Sequence, residues 1–414
     1  MKIAMLGKRQ LVTLSALTLA ALSALLPLAA RPAQARTETI LYNFGGEGGA
    51  LPQGNLTSHG GNLYGTTTEG GPYGGGGTVF ELSPNGSGGW NETVLHSFQN
   101  SGAGGSLPGP SVIFDSAGNL YGTAANGGEY GGGVMFELSP VGTSWTETVL
   151  YNFCSAANCT DGGEPHASLI PGTAGNFYGT TWKGGAYSGG TVFELRPSGS
   201  DWIEQVIYNA TDYILDGVTM DAAGNIFGHT YSTVFELSPG TNGGWNPSVI
   251  HTFGSGTDGK APVGTPALDS AGNLYGATLY GGANAFGTVY KLSHRKKGTW
   301  TEQILHSFKG GRKDGQGPFA GIVFGTFGKI YGTTAFGGEF GYRQGGYGTV
   351  FELVPPVGKG KYEEKVLWSF NITDGEYPYG SLILDSAGNL YGTAASGGSS
   401  GVGVVFEVTP EGAR

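Results

Sequence analysis

The chain has 414 residues, of which 81 are glycine and 13% are charged, and its formal net charge is −10. This acidic balance, with a pI near 5.2, argues against nucleic acid and anionic lipid as partners, because both are bound by basic patches. Tyr, Phe, Val and Leu recur in short regular runs, which argues against disorder and favours many short strands joined by glycine turns.

The first 35 residues have the three parts of an export signal. Basic residues precede an apolar run over residues 11–30, and Ala33-Gln34-Ala35 matches a small-x-small cleavage site. We predict cleavage after Ala35 and a secreted, periplasmic or surface location in a bacterium. An uncleaved anchor is the alternative, because the apolar run is almost long enough to span a bilayer. Residues 36–414 contain no second apolar run, so we expect one domain without a membrane span.

Three phrases recur along the rest of the chain. "NLYGT" and "GTVFELSP" each occur seven times in recognisable form, at intervals of about 50 residues, which is typical of a repeat architecture. "ETVLHSF" follows them only six times, and its seventh copy is "TETILYNF" at residues 37–44. The N-terminal segment therefore supplies the strand that the last repeat lacks, as in a closed ring.

Each repeat predicts four strands. "DSAGN" is a tight turn between the first two strands, and the proline after "FELS" ends the third. The glycine of "NLYGT" lies within a strand, where glycine usually marks a close backbone approach. We therefore predict an all-β fold, a monomeric seven-bladed β-propeller of four-stranded antiparallel blades, with residues 37–44 completing the last blade.

These phrases resemble the repeat of the bacterial "choice-of-anchor tandem repeat GloVer-containing" proteins, which carry NLYGTTxxGG, GxGTVFELSP and ETVLHSF in this order. The resemblance covers about residues 37–410. It implies an exported repeat protein, and it implies no established activity or catalytic residue. Members of that family carry C-terminal anchors, whereas this sequence ends without a recognisable one.

Cys154 and Cys159 are the two cysteines of the chain. In an oxidising compartment, a pair this close in sequence is expected to form a disulfide that staples a loop. Two cysteines without a nearby histidine provide too few ligands for a zinc site.

Candidate ligand-binding residues are found where the repeat is broken. Trp182 is the one tryptophan outside a repeated position, and Tyr187 follows it in the same loop of blade three. The alternative for Trp182 is a packing role, in which it covers the gap left by the shortened loop of blade four. The corresponding loop of blade four is shortened and carries His229 and Tyr231, whereas the loop of blade six is longer, so we expect a cleft on this face. His166 is the other unusual histidine, because His96, His251 and His306 occupy positions that hold Tyr or Trp in other blades.

We expect a non-enzymatic binding or cell-surface module for a polysaccharide or protein ligand, since exposed aromatic side chains stack on apolar ligand surfaces. The alternatives are a carbohydrate-active hydrolase or lyase on the same scaffold, and a structural envelope protein. No paired carboxylates occur at off-repeat positions to favour the hydrolase. We expect no metal site and no cofactor; calcium at the acidic "DG" connectors between blades is the alternative, because calcium prefers oxygen ligands.

Overall fold

The computed structural model describes residues 37–73, 75–100, 102–254, 256–295, 298–341 and 345–410. The predicted export signal, residues 1–35, lies outside them. The described residues form seven four-stranded antiparallel blades that follow one another along the chain, which confirms the predicted propeller. Within these ranges, no helix is long and apolar enough to cross a membrane.

The strands and short 3-10 helices have the following bounds. The N-terminal strand is β1 (Thr37–Asn43). Blade 1 contains β2 (Thr57–His59), β3 (Asn62–Thr67), β4 (Thr78–Pro84) and β5 (Trp90–Ser97). Blade 2 contains β6 (Ser106–Pro108) and β7 (Ile113–Phe114), which both pair with β8 and together take the place of one inner strand, and β8 (Leu120–Asn126), β9 (Val134–Val141) and β10 (Ser144–Asn152). Blade 3 contains β11 (Ile170–Pro171), β12 (Phe177–Thr181), β13 (Thr191–Ser198) and β14 (Asp201–Asn209). Blade 4 contains β15 (Thr219–Met220), β16 (Ile226–His229), β17 (Thr233–Pro239) and β18 (Trp245–Thr252). Blade 5 contains β19 (Gly259–Leu268), β20 (Leu274–Gly281), β21 (Thr288–Arg295) and β22 (Thr299–Ser307). Blade 6 contains β24 (Val323–Phe324), β25 (Ile330–Thr334), β27 (Thr349–Val354) and β28 (Glu363–Ser369), with β23 (Gly315–Gln316) and β26 (Phe336–Gly337) paired beside it. Blade 7 contains β29 (Ile383–Leu384), β30 (Leu390–Ala394) and β31 (Val404–Thr409). The 3-10 helices are Gly46–Gly48, Ala157–Cys159, Thr241–Gly243 and Thr326–Gly328.

The N-terminal strand closes the ring. β1 pairs antiparallel with β31, with Ile40 opposite Phe406, and so becomes the outermost strand of blade 7. The Phe44 backbone N–H then donates to the Gly403 carbonyl at 3.0 Å. The Phe44 ring packs against Phe80 of blade 1, with ring centroids 5.0 Å apart. One short segment therefore completes blade 7 and packs it against blade 1.

The glycine of "NLYGT" makes room for the aromatic ring of "GTVFELSP" in the next strand. A Cβ atom on Gly122 would lie only 2.6 Å from Cζ of Phe136, well inside van der Waals contact. Phe136 is fully buried, and the same pairing occurs in every blade. The other pairs are Gly65 with Phe80, Gly179 with Phe193, Gly228 with Phe235, Gly276 with Tyr290, Gly332 with Phe351 and Gly392 with Phe406.

The aspartate of "DSAGN" builds its own turn. Oδ1 of Asp115 accepts the backbone N–H groups of Ala117 and Asn119 at 2.8 and 2.9 Å. Oδ2 accepts the Asn119 side-chain amide at 2.9 Å and the Tyr121 hydroxyl at 3.2 Å. Asp269 and Asp385 make the same contacts in their own blades. These carboxylates are therefore occupied in holding the hairpin.

Candidate functional site

The inner strands and the connectors leading into them surround a narrow cavity. Its deeper part, about 120 Å³, is lined by residues from all seven blades and therefore lies on the propeller axis. A wider mouth of about 290 Å³ opens beside it among Gln53, His166, Phe319 and Tyr379. The long loops between the second and third strands reach the same mouth, since Thr68 lies in its wall. This is the face on which the sequence predicts ligand binding.

His229 is buried next to Asp216 and Gly264, which line the wall of the axial cavity, and does not lie on the outer rim. Its side chain is 1% exposed, and its Nε2 donates a hydrogen bond to the Gly264 carbonyl of blade 5 at 2.9 Å. Five other blades have a threonine at this place, whose hydroxyl makes the corresponding bond to the next blade, whereas blade 5 has Ala277. These bonds join Thr66 to Gly109, Thr123 to Ala167, Thr180 to Asp216, Thr333 to Gly380 and Thr393 to Gly54. His229 thus keeps the inter-blade bond and adds an imidazole whose Nδ1 has no hydrogen-bond partner.

Asp216 brings a carboxylate into the same wall. Its Oδ2 lies 3.8 Å from Nε2 of His229, and about 30% of its side chain is exposed in the cavity. Burial raises the pKa of Asp216, although His229, the Gly264 backbone N–H and His166 act to lower it. A carboxyl with a raised pKa keeps its proton to a higher pH than a solvent-exposed carboxyl does.

His166 stands at the mouth above this pair. Its side chain is 45% exposed, and desolvation by its surroundings lowers its pKa, against the opposing effect of Glu164 and Asp216. Its ring meets Trp182 edge to face at 5.7 Å. Glu164 accepts a hydrogen bond from Lys183 Nζ at 2.6 Å, and Lys183 lies over the Trp182 ring at 5.1 Å. His166 and Trp182, which are separated in sequence, are therefore neighbours.

Trp182 is part of a half-exposed aromatic rim. Tyr213 lies 6.2 Å from it between ring centroids, and the Tyr213 carbonyl accepts the Tyr231 backbone N–H at 2.8 Å. Tyr213 was missed by the sequence reasoning, although it precedes the only blade whose loop is shortened. Tyr187 lies at the tip of the loop, 65% exposed. The "GG" loops of blades 1 and 2 carry Tyr73 and Tyr130 at the same place, so Tyr187 is not peculiar to this rim.

A second group of aromatic side chains includes Phe319 and Tyr379, which line the mouth. The rings of Phe319 and Tyr379 are 5.0 Å apart, and Tyr377 stacks beside Tyr379 at 6.1 Å. Phe336 joins them, 5.6 Å from Tyr377. This group was not predicted, because its members lie in connectors and loops of blades 6 and 7 among many other aromatic residues. The mouth is thus lined by Phe319 and Tyr379 and by His166, whose ring contacts Trp182.

The expected difference in rim height is visible on the blade-four side. The loop there is a tight turn in which the Thr230 backbone N–H donates to the Thr233 carbonyl at 2.8 Å. The longer loop of blade six includes residues 342–344, which lie outside the described residues. The predicted cleft therefore stays a prediction on that side.

Cys154 and Cys159 form a disulfide in the connector between blades 2 and 3. The Cys159 carbonyl accepts the backbone N–H groups of Gly162 and Gly185, each at 2.9 Å. Gly185 belongs to the loop that carries Trp182. The disulfide loop is therefore hydrogen-bonded to the segment that positions one side of the mouth.

Comparison with known proteins supports the repeat and the fold. The model of a family described as the Gloeobacter/Verrucomicrobia repeat matches residues 29–155, 77–233 and 229–414. No curated protein sequence matches the chain significantly. A virginiamycin B lyase from Staphylococcus aureus is similar in structure, with a TM-score of 0.53 at 14% identity over 90% of this chain and 98% of the lyase. A Bacteroides uniformis protein assigned as a 6-phosphogluconolactonase has a TM-score of 0.50 at 13% identity over 81% of this chain and 89% of its own. At such identities the likeness shows the fold alone.

Proposed function

Because the chain belongs to the Gloeobacter/Verrucomicrobia repeat family, whose repeats form the propeller itself, we infer that its functional residues lie at the positions where the blades differ. We propose an exported bacterial binding module that holds a polysaccharide end or a surface sugar at the mouth of the axial cavity. A disulfide within the chain supports an oxidising, extracytoplasmic location. A surface protein is the other ligand class for the same mouth.

The observation that carries this proposal is the group of aromatic side chains in and next to the mouth. Phe319, Tyr379 and His166 line a space of about 290 Å³, which suits a group of one or two sugar rings. Trp182, which contacts His166, and Tyr213 extend this surface outward. Aromatic faces stack on the apolar faces of sugar rings, while Gln53 and His166 offer hydrogen bonds to hydroxyls. The net charge of −10 favours neutral or basic ligands over acidic ones.

A glycan and cell-wall array tests the proposal, followed by titration of the best ligand. Trp182→Ala and Phe319→Ala are each expected to weaken binding about tenfold, since one lost stacking contact is worth about 1.4 kcal/mol. Tyr73→Ala is the matched control, because it removes an exposed loop aromatic far in sequence from these residues. Equal binding by wild type and both mouth variants, or an equal loss in Tyr73→Ala, would contradict the proposal.

A second function, a hydrolase or lyase acting on carbohydrate, is favoured by the convergence of Asp216, His229 and His166. A protonated Asp216 would act as general acid, and His166, with its lowered pKa, as general base toward a sugar in the mouth. His229→Thr introduces the residue that five other blades have at this place and should preserve the fold. If the protein is an enzyme, Asp216→Asn and His229→Thr abolish turnover while leaving binding within about twofold. Absence of turnover by the wild type on every bound ligand would refute this second function.

A further inference from the structure

A polar cluster recurs at the outer edge of the blade interfaces. Three positions converge there: an aromatic or histidine ring near the end of one blade's outermost strand, an aspartate of the following "DG" connector, and a glutamate of the next blade's outermost strand. Between blades 4 and 5 these residues are His251, Asp258 and Glu302. The sequence reasoning treated the histidines as ring packing and the aspartates as turn residues, and the structure brings both types together.

The cluster between blades 4 and 5 has the arrangement of a cation site. Nε2 of His251 lies 3.4 Å from Oδ2 of Asp258 and 3.8 Å from Oε1 of Glu302, and one ligand atom from each residue lies within 4.8 Å of the others. The Asp258 side chain is 9% exposed and is fixed by the backbone N–H groups of Gly254 and Gly259. Three potential ligands are therefore held on a rigid connector and two strands.

Two of the three candidate ligand atoms have no hydrogen-bond partner. Nε2 of His251 and Oε1 of Glu302 are both shielded from solvent and make no hydrogen bond. Buried polar atoms are normally hydrogen-bonded, so two orphan atoms that face each other point to a missing group between them. The imidazole also stacks edge to face on Phe253 at 4.5 Å, which fixes its plane.

The same set is found between blades 5 and 6. His306, Asp314 and Glu364 again place one ligand atom each within 4.8 Å, and Oε1 of Glu364 is buried without a partner. All three line a cavity of about 850 Å³ that opens to solvent and gives an ion a route of entry. Two other interfaces lack one member: Gly104 replaces the aspartate beside His96 and Glu147, and Tyr151 replaces the histidine beside Asp161 and Glu204.

We propose that the clusters His251, Asp258, Glu302 and His306, Asp314, Glu364 each bind one divalent transition-metal ion of the zinc type. One imidazole nitrogen and two carboxylate oxygens form a mixed N/O ligand set, which suits zinc, whereas calcium and magnesium prefer oxygen ligands alone. Water would complete the coordination. Each ion would join two successive blades, replacing carboxylate repulsion with a cross-link at the rim.

Zinc titration of the full chain, stripped with chelator and dialysed, tests the proposal by calorimetry and by metal analysis. We expect two zinc ions per chain and a higher Tm with zinc than without. Glu302→Gln should leave one ion and Glu302→Gln with Glu364→Gln none, since either change removes one anionic ligand. His251→Tyr should also leave one ion, and tyrosine occupies this position in other blades. Glu147→Gln, at the interface without the aspartate, should keep both ions.

X-ray absorption of the zinc-loaded wild type tests the ligand set without any variant. A shell of one imidazole nitrogen and two carboxylate oxygens at about 2.0–2.2 Å is expected. The proposal is overturned if the stripped wild type takes up no zinc. It is equally overturned if both ions survive in the double variant, or if calcium binds with the expected stoichiometry and zinc does not.

Discussion

Replacing Glu204 by glutamine should change how the stability of the protein depends on pH. Glu204 lies at the interface between blades 2 and 3, opposite Asp161. Oε1 of Glu204 and Oδ1 of Asp161 are both buried without a hydrogen-bond partner. Burial, with a further contribution from Asp161, raises the pKa of Glu204 from 4.5 to about 8. The folded protein therefore holds a proton on this side chain that the unfolded chain releases in the same pH range.

The sign and size of the effect follow from this difference. Below pH 4.5 both states are protonated, and as the pH rises through about 8 the folded state must bury a charge that the unfolded state exposes to water. Stability is therefore lost between pH 4.5 and pH 8 and stays low above it. At about 1.4 kcal/mol per pKa unit the upper limit is about 5 kcal/mol, and relaxation and water entry should reduce it to about 2 kcal/mol. Glutamine carries no charge and should remove this contribution.

Urea unfolding of the wild type and Glu204→Gln at pH 5, 7 and 9 measures the effect. The free energy of unfolding of the variant should fall by about 2 kcal/mol less than that of the wild type between pH 5 and pH 9. Glu129→Gln, in an exposed loop, is the control for losing a carboxylate on the surface. Parallel pH profiles for wild type and Glu204→Gln would show that burial of this carboxyl has no energetic consequence.

Two further predictions concern the stability of the propeller. Gly122→Ala should destabilise the protein by about 1–3 kcal/mol, because the new methyl group would overlap the Phe136 ring. Adding Phe136→Leu to the same chain should make room for that methyl group and recover part of the lost stability. Equal thermal stability of Gly122→Ala and wild type would contradict the packing argument. Replacing Cys154 and Cys159 together by serine should cost about 2 kcal/mol, the chain-entropy value for so short a loop. Adding reductant to the wild type should lower its stability by the same amount and leave the variant unchanged, and a variant that still responds to reductant would contradict this assignment.

The repeated phrases predicted the frame because blade structure is encoded locally. Glycine opposite an aromatic ring, an aspartate that closes its own hairpin, and a proline at the end of a strand each act within a few residues or between adjacent strands. The missing seventh copy of the third phrase was enough to predict that β1 completes blade 7. Such features recur once per blade and can be read from a single chain.

The candidate site was predicted only in part. Trp182 and His166 were singled out as departures from the repeat, and the structure makes them neighbours at the mouth. His229 was grouped with the outer rim, whereas it is buried at the place that holds threonine in five other blades. Asp216 was not singled out at all, since one aspartate in a connector resembles the turn-forming aspartates of other blades.

The sequence by itself determined the number of blades, the strand that closes the ring and the positions at which blades differ. The tertiary structure decided which of those differences meet. Asp216, which lies beside His229, lines the axial cavity together with His166, and His166 shares the mouth with Phe319 and Tyr379. His251 lies beside Asp258 and Glu302 at the rim. The physical reason is that radial closure sets the distances between blades. Side chains at the axis and at blade interfaces come from separate repeats, and no pattern within one repeat specifies their partners.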